Sequence, residues 1–350
     1  TGNLDGEVFT IHFCSETLLL SEQTKVKKAF SGYKIATANS DDGIINKILL
    51  EELKIDKKNI EKIEETKGMY NFIIPRFKPF EAINWLATYA MPEQFVGADM
   101  LFFENANGYH FKSLQTLYNQ TPLFTYFYNP KNILNDANKT NLQPDNIYRL
   151  EVLNNFDTFD AIMKGTFSSR LITFDPLRRK RDVKDFDYKK YSSSANVLNK
   201  SNDPIYNLTY RNRFGKTLND APPPILDAGA LRLMITNTGT QQEKYVQSTS
   251  NQDTTGYVND FAVETFLTNR ISQLSLANYT KIKIIVPGNS DIIAGGLLKI
   301  GVFGVKPVGN SREEDKILSG NYLVTAVRHI ISPLGYTSVV ELAKDSNIGY

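Results

Sequence analysis

The chain reads as α+β, with a small antiparallel β-barrel near its C-terminal end. Side-chain alternation with a period of two runs through residues 279–346, and helical spacing runs through 40–55, 78–91 and 257–279. Long polar stretches separate these segments. Apolar residues make up 41% of the 350, enough for a sizeable core and for two or three domains.

The elements follow in order. Residues 7–16, EVFTIHFCSE, alternate, with Val8, Thr10, His12 and Cys14 on one face and Phe9, Ile11 and Phe13 on the other. That pattern predicts a strand. In 40–55, Ile44, Ile45, Ile48 and Leu49 recur at helical spacing behind a Ser40 or Asp41 cap. MYNFIIP is a short strand. In 78–91, Pro79 sits near the first helical position, and Phe80, Ile83, Ala87 and Ala90 share a face. Residues 98–117 predict a hairpin turning at Asn105–Gly108, since Asn and Gly tolerate positive φ. Residues 40–117 therefore form one compact α/β unit.

Residues 154–165 predict a short helix closed by Gly165, and 166–176 a strand. The stretch 177–203 is charged and poor in apolar residues, which predicts a long loop or a segment ordered on assembly. Three consecutive prolines at 222–224 set an extended run, followed by a second polar loop. In 257–279, Val258, Phe261, Ala262, Thr265, Phe266 and Ile271 form the buried stripe expected of a helix. Then Ile282, Ile284 and Val286 alternate, GGLLKIGVFGVKP makes a second strand, and 319–332 and 335–345 form a hairpin around Pro333, Leu334 and Gly335. Four strands within about 70 residues, with glycines at bends, point to a small antiparallel barrel.

Composition excludes several roles. Forty basic residues against 38 acidic ones give a net charge of +2, so no whole-protein field attracts nucleic acid or an anionic membrane. Cys14 is the only cysteine, so no intrachain disulfide forms, which fits assembly in a reducing compartment. No apolar run reaches the roughly 18 residues of a membrane span. The chain opens at Thr1 with no charged-then-apolar leader, and is read as a processed or trimmed product of something longer. The 21 Phe and 18 Tyr, beside many Asn, suggest partner-facing surfaces.

Candidate chemistry is thin. His329 sits mid-strand with Val327 and Ile331 on its face, and nothing beside it supplies the nucleophile or the positioned partner that a general base needs. It reads as a strand histidine, half-buried or at an interface. His12 and Cys14 share a strand face, but a zinc site wants about four ligands and only His110 and His329 remain as further nitrogens. No phosphate-cradling glycine loop and no G-x-S-x-G elbow occurs. Glu64–Glu65 and Glu313–Glu314–Asp315 are adjacent in polar loops, not opposed across a cleft. Arg178, Arg179, Lys180 and Arg181 are the densest charge. Asp182, Asp185 and Asp187 dilute it, leaving a solvated loop first, a protein contact next and nucleic acid last.

The order of LSGNYLVTAVRHIIS, GYTSVVELAKDS and KIKIIVPGNSDIIAGGLLKIGVFG resembles the closing strands of baseplate hub proteins from contractile-tailed bacteriophages. FIIPRFKPFEAINWLATYAM, LFFENANGYHFKSLQTL and FTYFYNP resemble that family's small α/β domain. The match spans most of 7–128 and 257–346, and is poor over 177–256. The resemblance implies a tube-type β-barrel that is discontinuous in sequence, from 147–190 plus 279–346. It also implies an α/β domain at 40–128, a loop-rich peripheral domain inserted at 191–278, and a remnant of a first tube barrel at 1–39.

The implied role is structural and non-catalytic, with no cofactor. Three copies would form a homotrimer that adapts the hexameric tail tube protein to the trimeric central spike protein, beside other baseplate proteins. DNA would only pass through the channel, and the subunit would be assembled in the host cytoplasm into the virion. His329 and the 178–181 cluster would then be partner contacts. The alternatives are a hub or spike protein of a related contractile injection or secretion system, a tail-associated cell-wall hydrolase, and a host-receptor-binding protein.

Overall fold

The computed structural model describes residues 10–38, 40–95, 97–128, 145–154, 158–176, 179–188, 191, 195–199, 231–235, 242–249, 252–259, 263–303, 314–333 and 335–348. The architecture is mixed α+β, mostly sheet with few helices.

The N-terminal unit holds helix α1 (Glu16–Gln23), strand β1 (Ala29–Tyr33), helix α2 (Ile44–Lys47) running into a π-helical turn at Ile48–Glu52, strands β2 (Ile60–Ile63) and β3 (Tyr70–Ile73), helix α3 (Pro79–Ala87), strands β4 (Met100–Asn105) and β5 (Gly108–Ser113), and helix α4 (Leu114–Tyr118). β1 pairs with β3, and β2, β5 and β4 make a three-stranded sheet. Ile44, Ile45, Ile48 and Leu49 are all buried, as their spacing predicts, in one core with Ile83, Leu86 and Phe111. α3 starts where Pro79 predicts, with Glu81 accepting from the Lys78 backbone N–H. The predicted hairpin of 98–117 ends early, because Ser113 accepts from the Thr116 N–H and starts α4.

The largest sheet among the described residues has six strands. β6 (Phe124–Tyr128), β14 (Leu297–Val302), β15 (Gly320–Ser332), β16 (Gly335–Lys344), β13 (Thr280–Pro287) and β7 (Arg149–Asn154) lie side by side in that order. The sheet curls as a half-barrel. A short tie links its two edges: the Phe127 N–H donates to the Asp145 carbonyl (2.8 Å), and the Ile147 N–H donates to the Phe127 carbonyl (2.9 Å). Alternation fills the curl, with Ile282, Ile284, Val286, Leu298, Ile300, Tyr322, Val324, Val340 and Leu342 buried together.

Between the two halves of this sheet lie α5 (Thr158–Met163), β8 (Ser168–Asp175), β9 (Lys180–Asp187), β10 (Leu231–Ile235), β11 (Gln242–Thr249), β12 (Gln252–Asn259) and α6 (Val263–Leu276). β8 pairs with β9 and β10, and β11 pairs with β12.

Several expectations change. Residues 10–15 are not in a strand, and Ile11 and Phe13 stand in solvent; alternation alone supplies no partner strand. β8 does not join the curled sheet, because its two sides are taken by β9 and β10. Of 147–190, only β7 pairs with the C-terminal strands. β6, grouped by its sequence with the α/β unit, is instead an edge strand of the curl. β9 replaces the start of the expected polar loop, since Arg170 and Asp185 lock across the ladder at 2.6 Å. The second polar loop contains the β11–β12 hairpin. Val258 belongs to β12, so the helix starts later than its spacing predicts. The prolines at 222–224 lie outside the described residues.

Candidate assembly surfaces

β15 outgrows its neighbour β14. β14 pairs with β15 only from Gly320 to Leu323, and from Thr325 to Ser332 the outer edge of β15 meets no strand among the described residues. Burial stops at the same place, with Gly320 and Leu323 buried and Thr325 exposed. The β15 side of the hairpin is therefore an arm with a free outer edge, while β16 stays paired with β13 as far as Thr337. Gly335 turns the hairpin at φ +138°, a conformation costly for any residue with a Cβ. Near its tip, Ile331 is 81% exposed and Ile330 38%. Two adjacent isoleucines in a strand face opposite sides, so no single buried face can cover both.

His329 lies on this arm opposite Ser338. Its Nδ1 is 3.1 Å from the Ser338 hydroxyl and 3.0 Å from the Tyr336 hydroxyl. A histidine beside a serine is the pairing a nucleophile requires. Here the serine is fully buried and also accepts from the Asn289 N–H at 3.2 Å, so the contact knits the arm together. Tyr336 in turn lies against Gly288, where a Cβ would fall 2.1 Å from the ring. Gly288→Ala is expected to displace Tyr336 and cost about 2 kcal/mol by overpacking, read from urea unfolding of the two proteins.

The foot of the arm is locked from inside. Tyr322 is wholly buried and its hydroxyl donates to the Leu318 carbonyl at 2.7 Å. Lys344, also wholly buried, donates Nζ to the carbonyls of Ile317 and Ser319 and sits 4.9 Å from the centre of the Tyr322 ring. Burial pulls the Lys344 ammonium down to about 8, against the opposing pull of Asp315 and Asp345.

Across the sheet, β7 is exposed on most of its length, including Val152 (40%) and Leu153 (45%). Beyond the tie of Asp145 and Ile147 to Phe127, its outer edge is unpaired among the described residues. The curl thus offers an apolar arm on one strand and an apolar, unpaired edge on another.

The basic cluster sits elsewhere, at the β8–β9 turn. Arg179 occupies that turn at φ +52°, Arg181 is exposed opposite Phe174, Lys180 opens β9, and Arg178 lies outside the described residues. The structure does not bring the cluster and His329 onto one sheet. Ile330, Ile331, Val152 and Leu153 were missed in the sequence; the isoleucine doublet was the available signal. No group of three His, Cys, Asp or Glu side chains that could hold a metal occurs among the described residues. Among the described residues, no helix is long and apolar enough to cross a membrane.

No family model matches the chain. It is 21% identical over 345 residues to the probable baseplate hub protein gp334 of Vibrio phage KVP40, covering 98% of this chain and 73% of that protein. Among solved structures it is similar to the tail protein from Neisseria meningitidis MC58, with a TM-score of 0.44 and 11% identity over 93% of this chain and 71% of that one. It is also similar to the 43 kDa tail protein of prophage MuSo2 from Shewanella oneidensis, with a TM-score of 0.45 and 10% identity over 94% and 72%.

Proposed function

We propose that this chain is a structural subunit of a bacteriophage tail baseplate, and within it a hub subunit. The observation that carries the reading is the alignment with a baseplate hub protein along nearly the whole chain. That relative is a phage protein, which favours a phage tail over a related injection or secretion machine.

In this reading three copies form a ring that joins the hexameric tail tube to the trimeric central spike and leaves a channel through which DNA is ejected. The curled sheet, assembled from β6, β7 and β13 to β16, serves as the tube-type barrel. The N-terminal unit is the small α/β domain, α5 through α6 form the peripheral insertion, and the segment before α1 is the remnant of a first barrel. The β15 arm of one copy and the β7 edge of the next are the contacts that close the ring, since a heterologous contact closes only if the rotation does. His329 holds the arm in shape for that contact. The basic turn at 179–181 meets another baseplate protein. The subunit performs no catalysis and takes no cofactor, and its nearly balanced charge lets DNA slide past without being held.

Negative-stain micrographs of the purified chain are expected to show threefold rings with a central hole, with a matching trimer mass by light scattering. A monodisperse monomer at high concentration would remove the ring from the proposal.

A further inference from the structure

A second feature lies where three parts of the chain meet. Asp99 is wholly buried at the foot of β4, and its Oδ1 has no hydrogen-bond partner. Its other oxygen accepts from Gln273 Nε2 of α6 at 3.2 Å. The same glutamine accepts from the Ala98 N–H at 3.3 Å and also donates to the Tyr191 hydroxyl. Gln115 donates to that hydroxyl at 2.9 Å and accepts from the Asn196 N–H at 3.4 Å. Arg270, one turn earlier on α6, donates to the carbonyls of Ala87 (3.1 Å) and Ala98 (2.7 Å). These bonds join the N-terminal unit to α6, Tyr191 and Asn196 around a cavity of about 30 Å³.

The helix is built for this joint. Thr268, Ser272 and Gln273 are buried, a polar stripe where an apolar one would be usual. A buried polar face holds only while its partners are matched. Asp99 Oδ1 is the atom of this set that is not matched. The charged and titratable groups facing it are Glu64 from the loop after β2, Arg270 from α6, Tyr118 from α4, Tyr188 and Tyr191, and Asp345 after β16. Arg270 is the one cation in that set, against two other carboxylates, and it spends its Nη1 on backbone carbonyls.

We propose that Asp99 is a proton-held latch: as the neutral acid it closes the joint between the N-terminal unit and α6, and on ionising it loosens that joint. A neutral carboxyl carries no charge to desolvate, whereas a carboxylate places an uncompensated charge in the buried joint. Burial, reinforced by Glu64 and opposed by the Asp99 and Gln115 backbone amides and by Arg270, pushes the carboxyl up to about 7. The sign follows from linkage. A raised folded value means the joint is most secure below the ordinary carboxyl value near 4, weakens as pH climbs from there to about 7, and levels off above. The latch rests on the joint alone and survives if no ring forms.

Hydrogen-exchange mass spectrometry of the full chain tests it, at several pH values and after correction for intrinsic exchange. In the wild type, opening of 97–99 and of α6 is expected to rise about tenfold per pH unit between pH 5 and 7 and then flatten. Asp99→Asn, which keeps the shape of the neutral acid, is expected to abolish that slope while the β15–β16 arm exchanges as before. Parallel slopes in the two proteins would overturn the latch. So would a wild type whose opening is flat over the same range, a result independent of how well the variant folds.

Discussion

Tyr322→Ala is expected to lower the stability of the curled sheet by about 4 kcal/mol, the cost usual for emptying a large aromatic site in a packed core. The ring is wholly buried among Ile282, Leu298, Val324 and Leu342. Its loss leaves a cavity that strands bound on both sides cannot collapse into. The Leu318 carbonyl loses its donor, and the buried Lys344 ammonium loses the face it lies over. Tyr322→Phe separates these terms, because it keeps the volume and removes only the hydroxyl; about 1 kcal/mol is expected. Urea unfolding followed by amide exchange in β13–β16 measures both. Equal costs for the two variants would mean that packing around Tyr322 is not what holds the arm's foot.

The second large effect falls on assembly. Ile331→Asp is expected to abolish rings while leaving the monomer folded. At 81% exposure the side chain contributes little to the fold, so the change in unfolding free energy should stay within about 0.5 kcal/mol. Placing a carboxylate in an apolar contact costs on the order of 3 kcal/mol at each interface, roughly a hundredfold in affinity. Light scattering across a concentration series reads the result, with circular dichroism as the check on folding. A trimer that persists unchanged would show that the arm is not the contact.

What could be read before the fold was known follows from where the forces are local. Ile44, Ile45, Ile48 and Leu49, or Ile282, Ile284 and Val286, announce a buried face because period and burial are the same fact seen twice. The start of α3 was legible because Pro79 acts within one turn. Residues 10–15 misled because alternation states a preference and not a partner. β8 and β6 were misplaced for the same reason, since which edge a strand meets is decided by residues far along the chain. Of the hydrophobic stripe expected in 257–279, Phe261 and Ala262 lie outside the described residues. Phe266 is buried as expected, but Ser272 and Gln273 are buried beside it, because the surface that α6 meets carries Asp99 and the Thr166 carbonyl. His329 was legible as a rung of a ladder, while the exposed isoleucines next to it were not singled out.

The order of strands in the curled sheet also bears on how the chain is made. β13 needs β7 on one side and β16 on the other, and α5 through α6 are translated between β7 and β13. On a ribosome, β6 and β7 emerge roughly ten seconds before the strands they flank. Through that interval they wait as unmatched edges, the condition in which nascent chains find each other, and closing so distant a pair is slow even when the native state is stable. The growing polypeptide is therefore most vulnerable to chaperone capture or clumping at midpoint, well before its last residue is added.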